Sequence, residues 1–248
     1  MNTIYVLWLR QVKKYFRSKS RIIGSLGQPL LFLVAFGFGF GSIYQKAGGG
    51  NYMQFLAPGI ILMSVLTTAM FSGIDIIWDR QFGFLKETLV APVSRLEIVL
   101  GKTLGAATVA IFQGIIVFLL SMLVGFRPQN IYGILPAFGF ALLVAILFSS
   151  LGTAIASLLE DMQGFQLIMN FLVMPIIFLS GAFFPLTGLP GAVEFITKIN
   201  PLSYGVDGLR GALSGVYAYG ASFDFIILAA VTSVLLFIGS YLFSKIQI

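Results

Sequence analysis

Six stretches of this chain run for twenty residues or more without a charged side chain, and no other feature constrains the fold as strongly. They are Ile22 to Gln45, Ala47 to Ile74, Thr103 to Phe126, Pro128 to Leu159, Met162 to Val193 and Phe225 to Ser244. A helix needs about 20 apolar residues to cross a ~30 Å hydrocarbon core, so each run can supply one span. Gly, Pro and polar residues trim the six expected spans to 22–42, 55–77, 101–124, 133–158, 163–184 and 224–244. Only 10% of the 248 residues are charged, against about 25% in soluble domains. That excludes a water-soluble enzyme. No internal repeat or soluble domain interrupts residues 1–248, so the sequence predicts one membrane domain.

The cations orient it. With the N-terminus in the cytoplasm, the inner segments hold eleven Lys and Arg residues and the outer segments four, Lys46, Arg127, Lys198 and Arg210. Cations beside span ends resist translocation, so both termini are expected in the cytoplasm and the protein in the cell's inner membrane. The net charge of +6 is therefore topogenic, with no reason to invoke nucleic acid.

There is no Cys and no His. The commonest general base and metal ligand is absent, as is any thiolate, and the sequence predicts neither a catalytic residue nor a metal site. Gly101-Lys102-Thr103 ends like a phosphate-binding loop, but that motif needs Gly at position 96, which is Leu96. Lys102 reads instead as an anchor at the inner interface. Energy for any transport has to come from an ion gradient or a partner, and the titratable group nearest the membrane core is Asp75, one turn from the inner end of span two.

Several segments are more than spans. Residues 4–17 place Ile4, Leu7, Trp8, Val12 and Tyr15 on one helical face and Arg10, Lys13, Lys14 and Arg17 elsewhere. This fits a helix lying at the inner interface, with Trp8 and Tyr15 at headgroup depth and the cations toward anionic lipid, or simply a topogenic cluster. The loop Trp78 to Glu97 mixes both charge signs with Phe82, Phe84, Leu85 and Leu89, which suits docking to a protein better than a solvated connector. Pro92 breaks it, and Ser94 with Glu97 has capping-box spacing, so span three is expected to begin as a helix outside the bilayer. Residues 180–211 are too apolar for a free loop and too broken to span. Short helices dipping into the outer leaflet are the expected solution. Asp207 and Arg210 are spaced to pair on one helical face.

Milder polarity lines up inside the spans. Ser64, Thr68, Ser72 and Asp75 share a face of span two, and Gln163, Gln166 and Asn170 roughly share one of span five. Such stripes either line an amphiphile pathway or hydrogen-bond between helices. Gly101 with Gly105, and Gly37 with Gly41, have the spacing for close helix packing.

Three runs, WDRQFGFLKETLVAPVSRLEIVLGK (78–102), FLSGAFFPLTGLP (178–190) and INPLSYGVDGLRG (199–211), resemble the permease subunits of ABC-2 type transporters, closest to the daunorubicin-resistance group. The family's acidic-Arg-acidic start is Asp79-Arg80-Gln81 here, neutral at its third position. The resemblance implies an all-α type V exporter fold: an interface helix (1–20), six spans, a cytoplasmic coupling helix (78–98) and two short re-entrant helices (181–213). It also implies a second permease subunit, expected to be an identical copy, and two ABC ATP-binding subunits that carry the ATP and Mg. Coupling then falls to Asp79, Arg80, Gly83, Leu85, Glu87 and Pro92, and the outer gate to Phe183, Phe184, Pro185, Asn200, Pro201, Tyr204 and Arg210. The pathway would run between spans two and five of the paired subunits, with Ser64, Thr68, Ser72, Gln166 and Asn170 as candidates. The implied activity is outward movement of drug-like or lipid-like amphiphiles; the alternatives are export of a lipid-linked glycan or a non-transporting anchor for an ATPase.

Overall fold

The computed structural model describes residues 3–48, 50–90, 93–186, 188 and 190–246, leaving out the side chains of Lys86 and Leu89. Among them are twelve helices and no strand: α1 Thr3–Arg17, α2 Lys19–Gly39, α3 Gly41–Lys46, α4 Tyr52–Phe71, α5 Ile74–Gln81, α6 Phe84–Val90, α7 Arg95–Val124, α8 Ile134–Leu158, α9 Met162–Phe178, α10 Gly191–Ile199, α11 Pro201–Ser214 and α12 Ala221–Ser244. Five apolar segments are long enough to cross a membrane: α2, α4 with α5, α7, α8 and α12.

Span five is shorter than the sequence predicts. Its helix α9 has 17 residues, about 26 Å at 1.5 Å per residue. The apolar run continues to Val193, but the helix stops at Phe178 because Ser180 and Gly181 turn the chain, Gly181 at φ +75°. Span two is also interrupted, at Ser72 and Gly73 between α4 and α5. A Cβ on Gly73 would lie 2.4 Å from the Gly152 carbonyl oxygen, and one on Gly152 2.3 Å from that of Met70. Backbone therefore meets backbone where α4 crosses α8, and the break occurs at that crossing.

Helix α4 is the core. Leu56, Ala57, Ile60, Leu62, Val65, Leu66, Ala69 and Met70 are fully buried, enclosed by α2, α7, α8, α9 and α11. Helix α12 packs on α8 and α11. Helix α7 begins as the Ser94–Glu97 spacing predicts, with a complete capping box.

Helix α1 lies along α7. Gly101 and Gly105 make this possible: a Cβ on Gly105 would stand 2.7 Å from Gln11 Cβ, and one on Gly101 3.0 Å from the Ile4 carbonyl oxygen. The apolar face of α1, Trp8 and Tyr15 included, thus packs on protein. Leu7, Gln11 and Tyr15 are buried, Trp8 Nε1 donates to Thr108 Oγ1 (2.9 Å), and the Tyr15 hydroxyl donates to Gln113 Oε1 (2.9 Å). The second glycine pair does not behave this way. Gly37 faces Met53, but Gly41 has nothing near it.

Candidate functional site

Two clusters stand at opposite ends of the bundle. The charged end gathers α1, α5, α6 and the start of α7. Asp79, 4% exposed, is its centre. Arg10 forks onto it, Nη2 donating to Oδ1 at 2.7 Å and Nη1 to Oδ2 at 3.0 Å, while Lys102 Nζ also donates to Oδ2. One turn away, Lys14 Nζ donates to Asp75 Oδ1. The hydrogen bond to Asp79 raises the Arg10 guanidinium above its ordinary pKa despite partial burial. Lys102 is 3% exposed, so the reading of it as an interface anchor is corrected: it ties α7 to α5 from inside.

Helix α6 rests on this cluster. Gly83 turns the chain between α5 and α6 at φ +79°, a conformation that suits glycine. The Phe84 ring lies 3.8 Å beneath the Arg10 guanidinium, and Leu85 is buried. Facing outward are Glu87, Val90 and a stacked Trp78–Phe82 pair with ring centroids 5.1 Å apart. Arg80 reaches sideways, donating to the Leu159 carbonyl (3.3 Å) and lying 3.8 Å from Glu160, so it braces the α8–α9 turn. Pro92 lies outside the described residues.

The opposite end is aromatic. The Phe183 ring has Phe32, Phe36 and Phe178 at 5.6, 5.5 and 5.2 Å, and the Tyr52 hydroxyl donates to the Phe183 carbonyl at 2.8 Å. Phe184 and Pro185 join Phe36, Phe40, Tyr44, Tyr52, Phe178 and Phe183 around a hollow of ≈ 380 Å³. Arg210, on α11, stacks 3.9 Å from the Phe55 ring centroid and donates to the carbonyls of Gly181 (2.8 Å) and Phe55 (3.2 Å). Burial lowers its pKa to about 10, opposed by Asp207, so it stays charged at neutral pH.

Helix α11 starts as its sequence dictates. Asn200 caps it, Oδ1 accepting from the Leu202 N–H, while Nδ2 donates to the Ile176 carbonyl at 2.7 Å. Pro201 fills the first turn, and Tyr204 donates its hydroxyl to the Lys198 carbonyl at 2.6 Å. The expected Asp207–Arg210 pair does not form. Asp207 turns instead to the Ala218 and Tyr219 N–H groups.

The family model described as ABC-2 type transporter matches residues 2–214. The chain belongs to the ABC-2 type transporter family. It is similar to a ycf38 transport permease of Pyropia yezoensis, 32% identical over 224 residues that cover 86% of this chain and 74% of the relative. Nodulation protein J of Rhizobium meliloti (strain 1021) is 30% identical over 78% of this chain and 74% of its own. The inner membrane transport permease YadH of Escherichia coli (strain K12) is 28% identical over 85% of this chain and 82% of its own. Membership, together with the apolar helices, makes this a multi-pass membrane permease, the subunit type that works with an ABC ATP-binding partner.

Between the two ends, the predicted pathway residues separate in this permease. Ser64 and Ser72 are buried and donate to carbonyls of their own helix, Ile61 and Ala69. Gln166 is exposed. Thr68 and Asn170 come together in a hollow of ≈ 310 Å³ between α2, α4 and α9, which also takes in Arg21, Ser25 and Gln28. Sequence reasoning passed over those three, although Ser25 and Gln28 are polar interruptions of an apolar run, and over the buried Gln113, which accepts from Tyr15 and Ser25.

Proposed function

We propose that this chain is the membrane half of an ATP-driven exporter in the inner membrane, moving drug-like or lipid-like amphiphiles outward as the daunorubicin-group resemblance implies. Two copies pair, each as one membrane domain with six spans, cytoplasmic termini and the re-entrant pair α10–α11. Two ABC ATP-binding subunits bind α6 from the cytoplasm and hold the ATP and Mg, so this chain needs no cofactor of its own.

One observation carries this reading: α6 and the turn that leads into it offer Phe82, Glu87 and Val90 outward while the base of α6 is clamped to α1 and α7 through Asp79. Apolar side chains mixed with charge suit a protein partner. Doubly held, the Asp79 joint turns a push on α6 into movement of α1 and α7 together. Gly83, Leu85 and Arg80 hold that lever in place, and Glu87 meets the partner. At the far end, the rings around Phe183 and the α11 residues Asn200, Pro201, Tyr204 and Arg210 form the outer gate, with Phe184 and Pro185 at its rim. Thr68 and Asn170 mark the pathway.

Reconstitution with an ABC ATP-binding subunit tests this. Added amphiphile should stimulate ATP hydrolysis and leave on the far side, and replacing Phe82 and Glu87 by Ala should abolish the stimulation without loss of insertion. An ATPase that binds but never responds to any amphiphile would mark the chain as an anchor. A second reading, export of a lipid-linked glycan, is favoured by the aromatic-walled hollow, since rings offer flat apolar faces to sugar rings. Stimulation by glycolipid alone would select it.

A further inference from the structure

The hollow of ≈ 310 Å³ between α2, α4 and α9 changes character along its length. At one end Arg21 and Gln28 of α2, Thr68 of α4 and Asn170 of α9 bring polar groups to one space. From Asn170 the wall continues along α9 through Val173, Met174 and Ile177, one and two turns on, and is apolar.

The polar end has a cation but no anion. No carboxylate lines the hollow among the described residues. The acids of the charged end are occupied: Asp75 by Lys14, Asp79 by Arg10 and Lys102, and Glu160 by Arg80, while Asp161 caps α9. Arg21 is left without an ion-pair partner among the described residues, and the side chains of Gln28, Thr68 and Asn170 without a hydrogen-bond partner. Their neighbours are committed. Tyr15 and Ser25 both donate to Gln113 Oε1, at 2.9 and 3.1 Å, and Thr67 donates to the Met63 carbonyl at 2.9 Å. Cations beside a membrane span face a water-filled cavity or a counter-charge, since hydrocarbon supplies neither.

We propose that this hollow binds an amphiphile with an oxyanion head (phosphate, sulfate or carboxylate), held by the Arg21 guanidinium and the amides of Gln28 and Asn170. Its tail lies along Val173, Met174 and Ile177. A guanidinium offers a planar fork that two oxyanion oxygens accept at once, and charge-assisted bonds of this kind are about twice as strong as neutral ones. A cationic head meets Arg21 with no carboxylate to offset it, so the same wall selects against amine-bearing amphiphiles. Gln28 and Asn170 are exposed, so the hollow is open on its α2–α9 side and a head can enter without parting the core. Arg21 stands in the first turn of α2. On the orientation proposed above, the head sits toward the cytoplasm and the tail deeper in the bilayer. That the bound amphiphile is cargo rests on the exporter reading; the site itself does not.

Equilibrium binding of a radiolabelled alkyl phosphate to the full-length chain in phosphatidylcholine nanodiscs tests the site without ATP or a partner. Alkyl sulfate and alkyl carboxylate of equal chain length should compete, and alkyl trimethylammonium and inorganic phosphate should not. Phosphatidylglycerol added to the disc identifies the source: competition makes it a bilayer lipid, no competition a single-chain amphiphile, and both agree with the site. R21Q should weaken phosphate binding by about tenfold or more, the scale of one hydrogen bond to a charged group, and leave a neutral maltoside-headed analogue unaffected. Equal binding of alkyl phosphate and alkyl trimethylammonium, full competition by inorganic phosphate, or wild-type affinity in R21Q overturns the proposal. If R21Q does not insert, Q28A/N170A replaces it, with a loss expected for the phosphate and none for the maltoside. Selective binding beside a reconstituted ATPase that ignores the alkyl phosphate would overturn the exporter reading and leave the site standing. An ATPase stimulated equally by amines and phosphates, in wild type and R21Q alike, would do the reverse.

Discussion

The two ends of the molecule are held together by different physics. At the charged end, Arg10, Lys14, Asp75, Asp79 and Lys102 join α1, α5 and α7 by ion pairs, and Asp79 alone receives two cations. At the aromatic end, ring-on-ring contacts dominate, and the cation Arg210 is spent on a ring face and two carbonyls. Buried ion pairs are directional, and a part-broken one is costly. Ring contacts are individually worth about 0.5–1.5 kcal/mol and tolerate sliding. The first arrangement suits a joint that must transmit a push without deforming, the second a wall that has to rearrange.

Breaking the joint should show the largest effect. D79A strands Lys102 in the interior and should cost about 3–5 kcal/mol, read as a lower unfolding midpoint in detergent. The double replacement D79L/K102M removes both charges and should recover most of that loss while leaving ATPase and transport uncoupled. Recovery of coupling as well would make the joint a purely structural device. Next comes the seam on which the joint stands. G105L forces a side chain into Gln11 and should cost about 1–3 kcal/mol, with faster amide exchange along α1. Unchanged exchange would mean that α1 does not need its contact with α7.

At the aromatic end the expected losses are smaller and more local. R210K keeps the charge but loses the planar fork, and should weaken the link between α11 and Gly181 by about 1 kcal/mol. F183L trades three ring contacts, worth about 0.5–1.5 kcal/mol each, for aliphatic ones that recover part of that, and should alter substrate preference more than stability. If F183L destabilised the protein as much as D79A, the contrast between the two ends would fail.

How far this was legible in the sequence follows the range of each interaction. Local devices were readable: the Ser94–Glu97 capping box, the Gly101/Gly105 seam and the apolar runs themselves. Long-range pairing was not. Asp79 meets Arg10 from 69 residues away and Lys102 from 23, and no spacing rule announces either. Lysines at span ends commonly snorkel to the interface, so Lys102 read as an anchor until α1 and α5 were seen to enclose it. Asp207 and Arg210 had the right separation to pair, but backbone N–H groups and carbonyls outcompeted each for the other. Helix α9 ended early because a positive-φ glycine, invisible to hydropathy, turned the chain.

The most direct test uses the absence of cysteine from the sequence, which makes Glu87→Cys the only thiol in the chain. Placed in membrane vesicles with an ABC ATP-binding subunit, that thiol should crosslink to the subunit, stop ATP-driven efflux, and react with a membrane-impermeant reagent only from the cytoplasmic side. Labelling from the opposite side, or efflux that proceeds in the permease alone, contradicts the account.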